Sequence, residues 1–157
     1  MQFYSAVHQA SDATLIPFYS SSVSAGFPSP AEDHCDEKID LHQLLIAHPA
    51  ATFFARAEGN SMLDAGILSG DLLIIDRALK PVANDIVLAF YDGGYLVKRL
   101  VERDKRLYLA AENRSHTYQP ILVTEEVIIW GVVSGVARST RSLPTHTYHA
   151  KPGVRLS

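Results

Sequence analysis

The feature that most constrains the fold is a hairpin signal in the middle of the chain. Two runs of strand-like composition, residues 85–91 and 95–101, flank the turn Asp92-Gly93-Gly94. Glycine adopts positive φ without steric cost, so this arrangement predicts an antiparallel β-hairpin. Further short runs of the same kind lie on both sides of it, at residues 52–57, 71–76, 106–111 and 126–137. Short strands, frequent turns and almost no helical periodicity predict a mostly-β domain, as a folded sheet or a barrel-like structure.

Residues 1–40 differ in composition from the rest of the chain. They contain a serine run at residues 20–22, two prolines at residues 28 and 30, and an acidic patch at residues 32–37. Proline removes a backbone donor and fixes φ, so this stretch is predicted to be a flexible N-terminal arm, extended and poorly paired. A short helix is predicted to follow it over residues 40–46, with Asp40 as its N-cap and three leucines on one face.

The predicted folded domain spans residues 41–137. The last stretch, residues 138–157, carries Arg138, Arg141, Lys151 and Arg155 and no acidic residue. Its prolines, glycine and unbalanced charge predict a flexible basic tail.

Composition excludes several classes of protein. A chain of 157 residues is long enough for one domain with a core, and its net charge of −3 gives no global basic field for nucleic acid. A single cysteine, Cys35, excludes an internal disulfide and a cysteine-based zinc site. The seven histidines show no metal-binding spacing, so neither a metal nor a cofactor is expected. No apolar run approaches the ~20 residues of a membrane span, and no basic segment precedes Val23-Ser24-Ala25, so we expect a cytoplasmic protein.

Ser61 lies in a turn between two apolar runs, and its position has two interpretations. Serine is a favoured N-cap, and the ten residues 57–66 by themselves favour a cap of a helical turn. A nucleophile is the alternative, although the segment at residues 59–63 fails the G-x-S-x-G pattern at its last position.

Lys98 lies in the predicted strand 95–101, where alternation places it on the same face as Leu96 and Leu100. On its own this pattern favours a lysine that protects an edge strand from aggregation. The alternative is a buried lysine, because burial disfavours the ammonium and lowers the pKa. A neutral amine accepts a proton from a serine hydroxyl, so Ser61 and Lys98 would form a serine–lysine dyad.

Several motifs, in order along the chain, resemble the LexA/UmuD family of self-cleaving serine proteases. They are GNSMLD at residues 59–64, ILSGDLLI at 67–74, NDIVLA at 84–89 and DGGYLVKRL at 92–100. Upstream, GFPSPA at 26–31 and IDLHQLLI at 39–46 are similar to the segment that precedes the catalytic domain in this family. The resemblance covers roughly residues 23–136. Asn60 and Asn84 depart from the residues that are usual in the family.

The resemblance implies a LexA-like catalytic domain, Ser61 as nucleophile, Lys98 as general base and a scissile bond between Ala25 and Gly26. Backbone N–H groups of Asn60 and Ser61 are expected to bind the oxyanion. The resemblance further implies that a RecA–single-stranded DNA filament stimulates the self-cleavage during the SOS response to DNA damage. The processed homodimer would then join a Y-family polymerase subunit of the UmuC type in translesion synthesis, with the sliding clamp as a further partner.

Two other functions stay open. The same fold would serve as a non-catalytic protein-binding module, and a signal-peptidase relative shares the Ser-Met and Lys arrangement. The arm is too short for a helix-turn-helix domain, so direct sequence-specific DNA binding is not expected, and neither is membrane association.

Overall fold

The structure, a computed structural model, describes residues 3–5, 14–19 and 35–141. Within these ranges the chain forms ten strands and one short α-helix. The helix α1 is Leu41–Leu45. The strands are β1 (Phe3–Ser5), β2 (Leu15–Tyr19), β3 (Cys35–Asp40), β4 (Thr52–Arg56), β5 (Leu72–Asp76), β6 (Ile86–Tyr91), β7 (Gly94–Arg103), β8 (Arg106–Ala110), β9 (Ile121–Leu122) and β10 (Ile128–Ala137).

Eight of these strands form one antiparallel sheet in the order β1-β4-β5-β10-β6-β7-β8-β9. The predicted hairpin is confirmed as β6 and β7, joined by a tight turn in which Asp92 and Gly93 both have positive φ. The strands predicted around it are confirmed as β4, β5, β8 and β10. The mostly-β prediction is therefore correct. The position of β10, the last strand, between β5 and β6 was not predicted.

The sheet is covered on both faces. Successive residues of β6 alternate between two hydrophobic clusters: Leu88 belongs to one, and Val87 and Ala89 belong to the other. All three side chains are fully buried. Because the described residues include only one short α-helix to cover it, a sheet that buries both faces must fold over on itself, which agrees with the predicted folded-sheet architecture. The first cluster extends to Met62, next to Ser61.

Strand β10 comes very close to β5 at Gly131. A Cβ at this position would lie 2.8 Å from Ile75 Cγ2 and 2.9 Å from the backbone oxygen of Asp76. The register of β10 against β6 shifts between Ile129 and Gly131, so the glycine also lies at an irregularity of the ladder. Glycine in a strand often marks such an approach of one backbone to another.

The described pieces of the N-terminal arm are extended, as predicted, but they are paired. β1 pairs with β4, and β2 pairs with β3 in a separate two-stranded sheet. The prediction of poor pairing was wrong for these pieces, because the ladder partner of β2 lies on the far side of the proline-containing segment. The predicted helix is confirmed as α1, and the Asp40 side chain accepts a hydrogen bond from the backbone N–H of His42. Residues 20–34 and 142–157, which include much of the predicted arm and tail, lie outside the described residues.

In the part of the chain that the structure describes, no helix is long and apolar enough to cross a membrane.

Candidate active site

Ser61 lies in the loop between β4 and β5. Its neighbour Met62 belongs to the first hydrophobic cluster. The loop closes on itself through backbone hydrogen bonds from Ala57 N to Asp71 O (2.8 Å) and from Gly70 N to Ala57 O (2.9 Å). Gly59 turns the chain with φ +83°, a conformation that side chains other than glycine rarely adopt. A 3₁₀ turn, Leu63–Ala65, follows the serine.

The structure does not favour the capping interpretation of Ser61. The N-cap of the 3₁₀ turn is Met62, and no side chain makes a capping hydrogen bond there. The Ser61 hydroxyl instead contacts Lys98, whose Nζ lies 2.6 Å from Ser61 Oγ and 3.2 Å from its neighbour's backbone oxygen, Val97 O.

Lys98 does not lie on an edge strand, contrary to the interpretation favoured by the isolated pattern. β7 pairs with β6 on one side and with β8 on the other, and Lys98 itself pairs with the fully buried Val87. The ladder between β7 and β8 begins at Arg99, so Lys98 precedes the first residue of β7 that pairs with β8, and its side chain contacts the Ser61 loop.

Burial lowers the pKa of Lys98 below its ordinary value of 10.5. The physical cause is desolvation, since the ammonium is partly withdrawn from water into the sheet. The Tyr118 ring, with its centroid 5.9 Å from Nζ, lies on another side of the amine. When Lys98 is charged it donates to Ser61 Oγ, and when it is neutral its lone pair accepts the serine hydroxyl proton. The contact between the two groups and the direction of the pKa shift are those that activation of a serine by a lysine requires.

A cleft of about 470 Å³ opens over the pair. It is lined by both Ser61 and Lys98, by the glycines Gly59 and Gly94, and by an apolar wall that includes Met62, Ile67, Tyr95 and Val97. A cleft of this size accommodates a few residues of extended chain, and the small residues allow its backbone to approach the serine. The cleft is therefore suited to a peptide segment with small or apolar side chains.

The segment after β8 holds the Ser61 loop in place, and sequence reasoning missed it. Glu112 N donates to Ser61 O (2.8 Å), and Asp64 N donates to Glu112 O (2.8 Å). Asn113 Nδ2 donates to Asn60 O (2.7 Å). The Glu112 carboxylate also binds the guanidinium of Arg99, the residue after Lys98, at 2.8 and 3.0 Å. The loop with the serine and the strand with the lysine therefore share one anchor at residues 112–113.

The backbone N–H groups expected to bind an oxyanion are those of Asn60 and Ser61. Among the described residues, neither group donates a hydrogen bond to a protein acceptor. Asn60 O and Ser61 O, in contrast, both accept hydrogen bonds. The two residues of the expected scissile bond, Ala25 and Gly26, lie outside the described residues.

Comparison with known proteins shows the family of this chain. The family model described as Peptidase S24-like matches residues 17–134. Protein ImpA of Salmonella typhimurium is 45% identical over 132 residues, which are 84% of this chain and 90% of that protein. Protein MucA of Escherichia coli is 39% identical over 125 residues, or 80% of this chain and 86% of that protein.

The match also extends to a repressor. The LexA repressor of Thiobacillus denitrificans is 35% identical over 124 residues, which are 77% of this chain and 60% of that protein. Both the family model and the relatives span the loop with Ser61 and the strand with Lys98. The chain therefore belongs to the Peptidase S24-like family and, within it, to the LexA/UmuD type.

Proposed function

We propose that this protein is a self-cleaving serine peptidase that cuts its own chain between Ala25 and Gly26, with Ser61 as nucleophile and Lys98 as general base. The observation that carries the proposal is the 2.6 Å contact between Lys98 Nζ and Ser61 Oγ, made by an amine whose pKa is lowered by burial. The non-catalytic binding module does not require such a pair.

The proposed reaction proceeds in two steps. Neutral Lys98 takes the hydroxyl proton while Ser61 Oγ bonds to the carbonyl carbon of Ala25, which gives a tetrahedral oxyanion. The C–N bond to Gly26 then breaks, and the Lys98 ammonium gives its proton to the departing amine. In the second step Lys98 takes a proton from water, and the hydroxide bonds to the carbonyl carbon of the Ser61 ester. The bond from that carbon to Ser61 Oγ breaks, the Lys98 ammonium returns its proton to Oγ, and Ala25 is released as the new C-terminal carboxyl group.

The oxyanion would be bound by backbone N–H groups of Asn60 and Ser61. Their lack of a protein acceptor among the described residues supports this assignment. Donors that are fixed before the reaction stabilise the developing charge without reorganisation.

The substrate is part of the same polypeptide, so proximity replaces substrate affinity. Each chain performs one turnover, and the conformation with the arm in the cleft must be scarce until a signal arrives. We propose that a RecA–single-stranded DNA filament shifts the population toward that conformation. The proposal for this partner comes from the family resemblance.

After cleavage, residues 26–157 would act as a homodimer in SOS mutagenesis. The family resemblance supports a cytoplasmic role as an accessory subunit of an error-prone translesion polymerase, with a Y-family subunit of the UmuC type as partner and the sliding clamp as a further contact. The relatives ImpA, SamA and MucA, each spanned over more than four-fifths of its length, support this placement.

The chemistry is tested with the full chain at alkaline pH, where more lysine is neutral. Ser61→Ala and Lys98→Ala are each expected to abolish the fragment that begins at Gly26, read by mass spectrometry. Ser139→Ala and Lys80→Ala, at exposed positions outside the cleft, are matched controls and should cleave like the wild type. Cleavage that persists in either cleft variant removes that residue from the proposed mechanism.

The stimulation is tested separately at neutral pH with and without an activated RecA filament. The wild-type chain is expected to produce the Gly26 fragment faster with the filament. A chain that stays intact under both sets of conditions would instead be the non-catalytic binding module. Cleavage of a separate secretory substrate, with residues 1–40 left intact, would indicate the signal-peptidase alternative.

A further inference from the structure

We infer that Asn113 is a positioning residue for the oxyanion hole, acting through the peptide bond that joins Asn60 to Ser61. This inference rests on the proposed function and adds a residue to it. Asn113 does not line the cleft, so it would act on the reaction without touching the substrate.

The Asn113 side chain is buried, with 7% of its surface exposed, and both ends of its amide are bound. Nδ2 donates to Asn60 O at 2.7 Å, and Oδ1 accepts from Ser115 N at 2.9 Å. A backbone N–H can only donate, so the bond from Ser115 fixes which end of the amide is the oxygen. The nitrogen is then directed at Asn60.

The carbonyl of Asn60 and the N–H of Ser61 belong to one peptide unit. The described residues contain no cis peptide bond, so this unit is trans, and its C=O and N–H point in opposite directions. Holding Asn60 O toward Asn113 therefore turns the Ser61 N–H away from Asn113. Ser61 lines the cleft and Asn113 does not, which agrees with an N–H that faces the cleft.

Two further effects strengthen the N–H as an oxyanion donor. A hydrogen bond accepted by the carbonyl polarises the amide, and bonds linked in this way reinforce one another. The next carbonyl, Ser61 O, accepts from Glu112 N at 2.8 Å. Two successive peptide units are therefore held by neighbouring residues, Glu112 and Asn113. The donor is thereby fixed before the tetrahedral intermediate forms, as electrostatic catalysis requires.

Asn113→Asp is the sharpest variant, because it keeps the shape and the acceptor for Ser115 but removes the donor to Asn60. Loss of a whole oxyanion donor slows catalysis about 10²–10³-fold, so loss of its alignment should slow self-cleavage at the alkaline plateau about 10- to 100-fold. Asn113→Ala provides the same test without an added carboxylate, and the pH midpoint of its rate should match the wild type. Gln43→Glu, exposed on α1 and outside the cleft, is the control for the added charge.

A second measurement separates alignment of the N–H from general damage to the loop. In a Ser61→Cys background, alkylation of position 61 by iodoacetamide needs the nucleophile and Lys98 but no oxyanion. Adding Asn113→Asp or Asn113→Ala should leave that alkylation rate within about twofold, with peptide mapping used to exclude Cys35. The fall in the self-cleavage rate, divided by the fall in the alkylation rate, still reports the alignment of the N–H even if one variant is less stable.

The outcomes are distinct. Unchanged cleavage in both Asn113 variants, or an equal fall in cleavage and alkylation, overturns the role of Asn113. A wild-type chain that does not cleave, or cleavage that survives Ser61→Ala, refutes the proposed function instead.

Discussion

At the scale of single residues, the most unusual group in the molecule is the Lys98 amine. It lies on an inner strand, next to fully buried Val87, and it reaches Ser61 Oγ at 2.6 Å. Desolvation lowers its pKa, so at a given pH the folded chain holds more neutral amine than an exposed lysine would provide. The burial that lowers the pKa of this amine also opposes folding while the amine is charged.

Lys98→Met is therefore expected to stabilise the folded chain at neutral pH. Because the pKa of Lys98 is lowered by folding, the unfavourable burial of its charge is fully present below the folded pKa. It is lost as pH rises toward the ordinary value of 10.5. The gain in the free energy of unfolding should be on the order of 1 kcal/mol and should shrink toward pH 10.5.

Urea unfolding at several pH values measures this difference in a Ser61→Ala background, which is not expected to self-cleave at alkaline pH, with the exposed Lys80→Met as the control. A variant that is less stable than the wild type at pH 7, or a gain that grows with pH, would contradict the expectation.

The local patterns by themselves favoured a cap for Ser61 and an edge-strand lysine for Lys98, and the succession of family-like motifs along the chain is what singled the two residues out as a pair. Sequence reasoning could not identify Glu112 or Asn113, since they act through backbone oxygens that any residue would present. The local sequence signal was an asparagine two residues after the predicted strand 106–111, which also fits a simple turn. Contacts between segments about 50 residues apart, such as Asn113 with Asn60, are not encoded in spacing.

At the scale of elements, β10 determines how the sheet is assembled. It pairs with β5 at one edge and with β6 at the other, so it joins the strands around Ser61 to the hairpin that carries Lys98. The alternation of side chains along each run, and the turn residues between the runs, predicted the strands themselves. The order of the strands was not predictable, because pairing between β10 and β5 joins segments far apart in the chain and no turn connects them.

Gly131→Ala tests the close approach of β10 to β5. The added methyl group would meet Ile75 Cγ2 at 2.8 Å and Asp76 O at 2.9 Å, and the backbone atom cannot move aside cheaply. We expect a loss of about 1–3 kcal/mol in the free energy of unfolding, the usual cost of overpacking.

Gly94→Ala is the matched control, because the atom nearest to the methyl group added there would be 4.0 Å away. Denaturant midpoints report both variants, and equal midpoints would show that β10 has room for a side chain.

At the scale of the whole molecule, one ion pair connects the end of the sheet to the loop beneath the candidate active site. Arg138 follows β10, and its guanidinium binds both carboxylate oxygens of Asp71 at 2.5 Å and also Gly66 O at 2.8 Å. Asp71 is 2% exposed and also accepts a hydrogen bond from Leu68 N. The guanidinium of Arg138 lowers the pKa of Asp71 despite the opposing effect of burial.

Asp71→Asn is expected to destabilise the chain at neutral pH by about 1–3 kcal/mol, the cost of losing buried charge-assisted hydrogen bonds. Since the pKa of Asp71 is lowered by folding, its contribution is present above the unfolded value of 3.8 and is lost as pH falls through the folded pKa. The difference between wild type and variant should therefore narrow below pH 3.8.

Chemical unfolding at pH 7 and pH 3 measures that narrowing, and the exposed Glu102→Gln is the control. If wild type and Asp71→Asn differ in free energy of unfolding by the same amount at both pH values, the carboxylate charge is not what stabilises the loop.

The place of β10 in the sheet has a consequence for protein synthesis. A ribosome delivers the β4–β5 segment first, the β6–β7 hairpin next and the strand that bridges them last. Domains fold as units during translation, so a nascent chain that lacks residues 128–137 has no complete sheet to hold the serine against the lysine. The order of the strands would thus delay the proposed self-cleavage until the whole domain has left the exit tunnel of the ribosome.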